Sequence, residues 1–130
     1  MGTRRVFKTK TFDRWARKLL GDAQLCEVAQ EIANGQFEAD LGAGLCKKRV
    51  ALAGQGKRGA FRTLVAKQHA NAIFFVAGRQ KSDPGADFSD GELGAAKIIA
   101  KGLQAASPER LDALAADGTI KEICSEKDEK

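Results

Sequence analysis

Residues 45–80 read LCKKRVALAGQGKRGAFRTLVAKQHANAIFFVAGRQ, and this pattern predicts three consecutive β-strands. The strands are expected over residues 45–52, 60–67 and 72–78. A glycine-rich loop over residues 53–59 joins the first two strands, and a turn over residues 68–71 joins the second to the third. Because connections this short suit antiparallel neighbours, we expect an antiparallel meander.

Helical periodicity lies on both sides of this meander. Apolar positions along residues 12–20 and 25–33 predict two helices before it, and a short strand is expected around residues 6–7. After the meander, Ser89 and the pair Ser107-Pro108 can cap two further helices. The expected fold is therefore α+β, with two N-terminal helices packed on a small, mainly antiparallel sheet (the short first strand plus the three-strand meander) and helices at the C-terminal end.

The length and cysteine content bound the class of protein. With 130 residues, 43% of them hydrophobic, we expect a single domain over residues 1–124 and a polar tail over residues 125–130. The sequence has neither an apolar run of the ~20 residues that span a bilayer nor an apolar signal core. Its three cysteines are odd in number, far apart and without a C-x-x-C pair. We therefore expect a cytoplasmic protein, away from membranes, in which Cys26 and Cys46 are buried thiols.

The net charge of +5 hides a strong asymmetry along the chain. Residues 1–81 carry 16 Lys and Arg against 6 Asp and Glu, whereas residues 82–130 carry 6 against 11. No acidic residue lies between Asp40 and Asp83. A solvated surface normally mixes both signs, so this excess indicates a negatively charged partner, most commonly phosphate, with a generic basic surface as the alternative. The cations of this stretch are Lys47, Lys48, Arg49, Lys57, Arg58, Arg62, Lys67, Arg79 and Lys81.

Side-chain alternation predicts which cations of the first two strands share a face. Lys47 and Arg49 point the same way, and Lys48 points the opposite way. Arg62 lies on the face opposite Phe61, Thr63 and Val65.

In the third strand Arg79 and, if the strand continues, Lys81 are expected to share a face with residues 73 and 75. Strand pairing could gather cations of all three strands into one patch, with Lys57 reaching in from the loop. Since the sequence does not fix the register of the strands, a scattered arrangement stays open. The cations of the expected patch are Lys47, Arg49, Arg62 and either Arg79 or Lys81.

Such a patch contains no carboxylate, whereas a two-metal nuclease needs acidic ligands, so metal-dependent DNA cleavage is not expected from this surface. The only histidine, His69, is expected in a turn at the far end of the hairpin, which excludes a histidine acid–base pair. Catalysis by cations remains. Clustered like charges and partial burial lower a lysine pKa, so a lysine could take a proton from a substrate hydroxyl while arginines hold the phosphate oxygens. RNA carries its own nucleophile, the 2′-hydroxyl, and so asks less of the enzyme than DNA does. The reaction that fits these residues is therefore RNA transesterification without metal or cofactor. A purely binding patch fits the same residues.

The stretch GQGKRG over residues 54–59 matches the G-x-G-x-x-G pattern of dinucleotide-binding loops. A true fingerprint opens a helix and is followed about 20 residues later by Asp or Glu. Here a strand-like stretch follows, and the next acid is Asp83. A loop that presents Lys57 and Arg58 to a phosphate backbone is the better interpretation.

Five short stretches carry a family resemblance. They are GLCKKRV over residues 44–50, GKRGAFR over 56–62, IFFVAGRQKS over 73–82, SDGEL over 89–93 and DGTIKEI over 117–123. The first two are similar to the lysine-bearing strand and the G-[YF]-R element of the RelE/ParE toxin superfamily. The next two are similar to its strand with a catalytic cation and the helix start after it, and the last to the C-terminal segment of a phage-associated RelE-like branch. The likeness spans about residues 4–123.

The resemblance implies a toxin of a type II toxin–antitoxin system. Such toxins are endoribonucleases that cut mRNA in the ribosomal A site, inhibit translation and are neutralised by a cognate antitoxin that wraps the basic surface. The resemblance makes Lys47 and Arg49 candidates for general base and phosphate support, and Arg62 the candidate that stabilises the transition state. Lys81 or Arg79 would serve the leaving group. The cations left to contact RNA are Lys48, Lys57, Arg58 and Arg79.

The sequence departs from the superfamily in having no tyrosine, whereas several members use a C-terminal tyrosine to orient the substrate base. Phe88 is the nearest aromatic substitute, and it lacks the hydroxyl. Two alternatives to mRNA cleavage therefore stay open. One is a ParE-like inhibitor of DNA gyrase on the same scaffold, and the other is a non-catalytic relative that only binds RNA or antitoxin.

Overall fold

A computed structural model describes residues 5–52, 56–80 and 88–124, without the side chains of residues 51–52 and 56–60. Strands and helices alternate irregularly along this part of the chain. In order they are β1 (Arg5–Thr9), α1 (Lys10–Ala16), α2 (Asp22–Ala33), β2 (Ala39–Gly42), β3 (Leu45–Leu52), β4 (Gly56–Ala66), β5 (Ala72–Gln80), α3 (Asp90–Gln104), α4 (Pro108–Ala116) and β6 (Ile120–Ile123).

The strands form one mixed sheet in the order β2-β3-β4-β5-β1-β6. The predicted meander is confirmed, since β3, β4 and β5 pair antiparallel. β1 extends it by pairing parallel with β5, and β6 pairs antiparallel with β1. The α+β class and the short first strand, which is β1, are thus correct, but the expected arrangement of two N-terminal helices on a small sheet is wrong, because β2 and β6 enlarge the sheet to six strands. β2 and β6 have four residues each, too few for an alternating pattern to reveal them.

Helices cover both faces of the sheet. α1 and α2 pack on one face through a core that includes Phe12 and Phe75, whose ring centroids lie 5.3 Å apart. α3 and α4 pack on the other face through a core that includes Phe7 and Phe74, whose rings stack at 5.4 Å. The central strand β5 is therefore apolar on both sides over most of its length, which explains the unbroken apolar run at its start.

The helix starts show how the sequence signals act. The hydroxyl of Ser89 accepts from the backbone N–H of Glu92, and the Glu92 carboxylate accepts from the backbone N–H of Ser89, which completes a capping box at α3. Ser107 caps α4 with Pro108 at its first position. Both predicted C-terminal helices are confirmed. α1 is shorter than its predicted stretch and ends at Ala16.

The cysteines are only partly as predicted. Cys46 is a buried thiol, and burial raises its pKa to about 12. Cys26 and Cys124, 98 residues apart in sequence, form a disulfide with their Cα atoms 5.6 Å apart. The expectation that Cys26 is a free thiol is therefore wrong. Sequence spacing alone does not show that the end of β6 comes to lie beside α2.

A buried lysine ties the N-terminal helices to the sheet. Lys8 of β1 is 3% exposed, and its Nζ lies 2.7 Å from Asp13 of α1 and 2.8 Å from Asp22 of α2. Burial opposes the charged form of Lys8, but the hydrogen bonds and the negative charges of both carboxylates together outweigh burial and raise the pKa of Lys8. The hydrogen bond from Lys8 lowers the pKa of Asp13 against the opposing effect of burial.

Candidate nucleic-acid interface

Three arginines on neighbouring strands form a row across one face of the sheet, here called the arginine row. Arg49 of β3 lies directly opposite Arg62 of β4, and Arg62 lies directly opposite Arg79 of β5. Directly opposite residues share a face, with Cβ atoms roughly 5 Å apart. Like charges in such positions destabilise a sheet, so the row is an arrangement that an anion would stabilise.

A β-bulge places Arg79 in the row. The pairing of β4 with β5 shifts by one residue at Val76, because Leu64 pairs with Ala77 and the next residue of β4 pairs with Phe75. Without this extra residue, alternation would put Arg79 on the face of Phe75, as the sequence predicted. That prediction is wrong, and the bulge is the physical reason.

Two contacts hold the bulge region in place. The hydroxyl of Thr9 donates to the carbonyl oxygen of Val76 over 2.9 Å, while accepting from the backbone N–H of Phe12 at the start of α1. Two residues beyond the bulge, Gly78 packs so closely against Trp15 that a Cβ atom would collide with the indole ring. The start of α1 therefore fixes the stretch of β5 from which Arg79 projects.

The arginine row is graded in exposure. Arg49 is exposed and Arg62 is half-buried, whereas Arg79 is only 7% exposed. The Arg79 guanidinium carbon lies 5.9 Å from the centre of the Phe88 ring, and its Nη1 lies 3.7 Å from Oε1 of Glu92 in α3. The start of α3 thus covers the β5 end of the row and leaves the β3 end open.

The carboxylate of Glu92 and the ring of Phe88 are contacts that sequence reasoning missed. The Ser89–Glu92 capping box has a sequence signature, but that signature does not show that the same carboxylate approaches Arg79. Phe88 is 8% exposed and belongs to the core under α3. Its ring is therefore not presented to solvent in place of a substrate-stacking tyrosine.

The two lysines of β3 lie on opposite faces, as predicted. Lys47 is half-buried, two residues before Arg49 on the face of the arginine row. Lys48 is 7% exposed on the other face, where its Nζ donates to the carbonyl oxygen of Gln36 over 2.9 Å and pairs with Glu31 at 2.9 Å. These contacts anchor Lys48 beside α2, so Lys48 lies outside the arginine row.

Three predicted site residues, Lys57, Arg58 and Lys81, have side chains outside the described part of the chain. Lys57 and Arg58 lie near the start of β4, so the backbone there is a strand and not the expected loop. Lys81 follows the last residue of β5 and lies outside the described residues altogether.

The open end of the row can bind an anion. Across residues 5–52, 56–80 and 88–124, neither Arg49 nor Arg62 forms an ion pair. The carboxylate of Glu38 accepts from the backbone N–H of Arg49 over 2.7 Å. Guanidinium groups offer planar, paired donors that match phosphate oxygens. The row therefore presents fixed positive charge suited to a phosphodiester.

Two further properties bear on the kind of site. No group of three or more His, Cys, Asp and Glu side chains that could hold a metal ion occurs in the part of the chain that the structure describes. In that same part, none of the helices has the length and apolar character needed to cross a membrane.

Residues 4–123 match a protein family described as RelE toxin of the RelE / RelB toxin-antitoxin system. The match covers nearly the whole chain of 130 residues. The chain belongs to the RelE toxin family. This confirms the resemblance to the RelE/ParE toxin superfamily and makes an antitoxin the expected partner of this RelE-family chain. No curated protein matches the sequence significantly.

Proposed function

We propose that this RelE-family chain is an endoribonuclease that cuts mRNA on the ribosome, and so inhibits translation in the cytoplasm. The arginine row carries the proposal, since Arg49, Arg62 and Arg79 meet on one face with no ion pair at Arg49 or Arg62 among the described residues. Membership of a toxin family supports the biological role. Positive charge at a fixed site supports binding of the RNA backbone.

The proposed reaction uses the substrate's own 2′-hydroxyl. Its oxygen attacks the adjacent phosphorus, the bond from phosphorus to the 5′-oxygen breaks, and the products are a 2′,3′-cyclic phosphate and a 5′-hydroxyl end. Lys47 is the candidate base that takes the 2′-hydroxyl proton. Arg49 and Arg62 would hold the non-bridging oxygens and stabilise the extra negative charge that develops on them.

Arg79 suits a different task from the other two arginines. A guanidinium does not release its proton near neutral pH, so Arg79 would stabilise negative charge on the departing 5′-oxygen without protonating it. Its contacts with Phe88 and Glu92 fix its position for that task. Lys81 is the candidate that would supply the proton, as the next cation along the chain.

Cleavage in a reconstituted translation reaction tests this proposal. Purified chain is added to ribosomes translating a defined mRNA, and cut sites are mapped by primer extension. We expect cuts at codon positions in the A site, and an Arg62→Gln variant that cuts about 10²–10³-fold more slowly, because it loses one transition-state contact. Arg14→Gln, an exposed arginine on α1, is the matched control and should cut like the parent.

The same reaction separates the rival functions. Uncut mRNA together with inhibition of purified DNA gyrase would contradict the proposal and support the ParE-like alternative. Uncut mRNA with salt-dependent RNA binding and no effect on gyrase would instead support a non-catalytic relative. Equal cleavage by the parent and Arg62→Gln would leave a nuclease whose active site lies elsewhere.

A further inference from the structure

The disulfide joins two peripheral elements that are far apart in sequence. Cys26 lies in the second turn of α2, and Cys124 directly follows β6, a strand of four residues at the edge of the sheet. Both cysteines are only partly buried, so the bond lies near the surface of the fold and not inside a core. Thiol–disulfide exchange requires access to the bond, and this placement favours it.

The third cysteine of the chain takes no part in such exchange. Cys46 of β3 is fully buried, and burial raises the pKa of its thiol to about 12. Since the thiolate is the reactive form, a thiol that keeps its proton inside the core is inert. Exchange is therefore confined to Cys26 and Cys124.

Folding of the domain does not require the cross-link. Apolar cores cover both faces of the sheet, and a domain of this size buries roughly two thirds of the surface of its unfolded chain without the disulfides that small secreted domains need. In the cytosol, glutathione and thioredoxins keep thiols reduced, and the disulfides that do form are usually transient. For a chain that acts on ribosomes, as proposed above, a reversible bond is favoured over a permanent one.

The backbone at Cys124 is held in an uncommon conformation. Its φ of 62° is in the left-handed region, which a residue other than glycine rarely adopts and which persists only where the surrounding structure holds it. β6 itself is a short edge strand that pairs with β1 on one side. Opening the bond therefore lets Cys124 relax and removes the covalent tie between this edge of the sheet and α2.

The coupling between the bond and the fold follows from the loop that the bond closes. A cross-link between residues 98 apart shifts the unfolding equilibrium about 10³-fold toward the folded chain. Because coupling is reciprocal, folding raises the effective concentration of the two thiols by the same factor. In the unfolded chain the ends of so long a loop meet at about 1 mM or less, so the folded chain holds its thiols at about 1 M or less.

This effective concentration matches the redox buffer of a cell. The relevant quantity is the squared concentration of reduced glutathione divided by the concentration of oxidised glutathione, here called the glutathione ratio. At about 10 mM reduced and about 0.1 mM oxidised glutathione the ratio is about 1 M, and a bond of this strength is then about half-formed. Modest oxidation closes the bond, and modest reduction opens it.

We propose that Cys26 and Cys124 form a reversible thiol–disulfide exchange site through which cellular dithiols and glutathione set how long the chain stays folded. The inference rests on the proposed function, which places the chain among cytosolic ribosomes.

Both directions of the exchange balance. In reduction, a thiolate of the dithiol attacks one sulfur of the bond, and the other cysteine leaves as a thiolate that takes up a proton. The second thiolate of the dithiol then displaces the remaining cysteine, so the dithiol leaves as a disulfide and the chain gains two electrons and two protons. In oxidation, one protein thiolate attacks oxidised glutathione and the second attacks the mixed disulfide, which releases two molecules of reduced glutathione.

Equilibration in glutathione buffers tests the proposal on the full chain. Samples are kept free of oxygen, quenched by alkylation and read by mass spectrometry. We expect the bond to be half-formed at a glutathione ratio between about 0.01 and 100 M, in the parent and in Cys46→Ala alike. Cys124→Ser should form no internal bond at any ratio. A midpoint of the parent outside this range overturns the proposal.

Proteolysis tests the effect on lifetime. Oxidised and reduced chains are digested in mild urea, so that cleavage proceeds through global unfolding. The reduced parent should be cut at least about 100-fold faster than the oxidised parent, because its unfolded fraction is larger. Cys124→Ser should be cut at the same rate in both buffers. Equal rates for the oxidised and reduced parent overturn the proposal.

The exchange site and the nuclease fail separately. A chain that shows the predicted midpoint but leaves mRNA uncut contradicts the nuclease alone. A chain that cuts mRNA while its bond stays closed in every buffer, or never forms, contradicts the exchange site alone.

Discussion

Replacing Thr9 by valine tests how the start of α1 fixes the arginine row. Valine keeps the shape of the threonine side chain but removes its hydroxyl. Two hydrogen bonds are lost together, the 2.9 Å bond donated to the carbonyl of Val76 and the 3.1 Å bond accepted from the backbone N–H of Phe12. The first anchors the bulge in β5, and the second caps α1.

The size of the effect follows from these two bonds. Loss of an N-cap costs about 1 kcal/mol, and a buried carbonyl left without its donor costs about 1–3 kcal/mol. We expect Thr9→Val to lower the free energy of unfolding by about 2–4 kcal/mol. Thr9→Ser keeps both hydrogen bonds and should cost less than about 1 kcal/mol, since only a methyl group is lost.

Urea unfolding followed by circular dichroism measures these differences. Thr11→Val, at an exposed position in the same helix, is the matched control and should unfold like the parent. The affinity of the folded variants for a short oligoribonucleotide should fall in Thr9→Val and not in Thr9→Ser, because the bulge sets the direction of Arg79. A Thr9→Val variant that unfolds at the parent's urea midpoint, or a Thr9→Ser variant as destabilised as Thr9→Val, would show that the Thr9 hydroxyl does not hold the bulge and α1 in place.

Three further perturbations probe other parts of the fold. Lys8→Met should lower the free energy of unfolding by about 2–3 kcal/mol at pH 7 and flatten its dependence on pH on the acid side. The lowered pKa of Asp13 contributes stability that is present above about pH 4 and lost as the pH falls through the folded-state pKa, and this contribution needs Lys8. An unchanged pH dependence in urea titrations from pH 2 to 7 would contradict this. Gly78→Ala should cost about 1–3 kcal/mol through its collision with Trp15, and a melting temperature equal to the parent's would show that the ring can move away. In oxidised protein, dithiothreitol should lower the free energy of unfolding by about 4 kcal/mol, because it opens a cross-link between residues 98 apart in sequence. The stability of Cys124→Ser should not change with dithiothreitol, and an equal change in both proteins would rule out the disulfide.

The sequence predicted the part of the fold in which local patterns agree with tertiary structure. The alternation of side chains in β3 correctly placed Lys47 and Arg49 on one face and Lys48 on the other, and the strand register, which the sequence left open, brings Arg62 to the face of Arg49. The C-terminal helices carry recognisable caps, which is why Ser89 was assigned correctly.

The remaining features depend on contacts between distant segments. The face of Arg79 was mispredicted because one extra residue in a strand reverses alternation, and the hydroxyl that supports that bulge comes from β1. The pairing of Cys26 with Cys124 needs α2 and the end of β6 to meet, which no local pattern encodes. The approach of Glu92 to Arg79 likewise depends on where α3 packs.

Single-turnover cleavage of mRNA in a stalled ribosomal complex tests most directly whether the arginine row is the catalytic surface. The rate is measured with saturating parent chain and with Arg49→Gln, compared with Arg110→Gln, an exposed arginine on α4. If the arginine row is catalytic, the rate falls at least about tenfold for Arg49→Gln and stays equal to the parent's for Arg110→Gln. Equal rates in all three proteins, each folded by thermal unfolding, would contradict it.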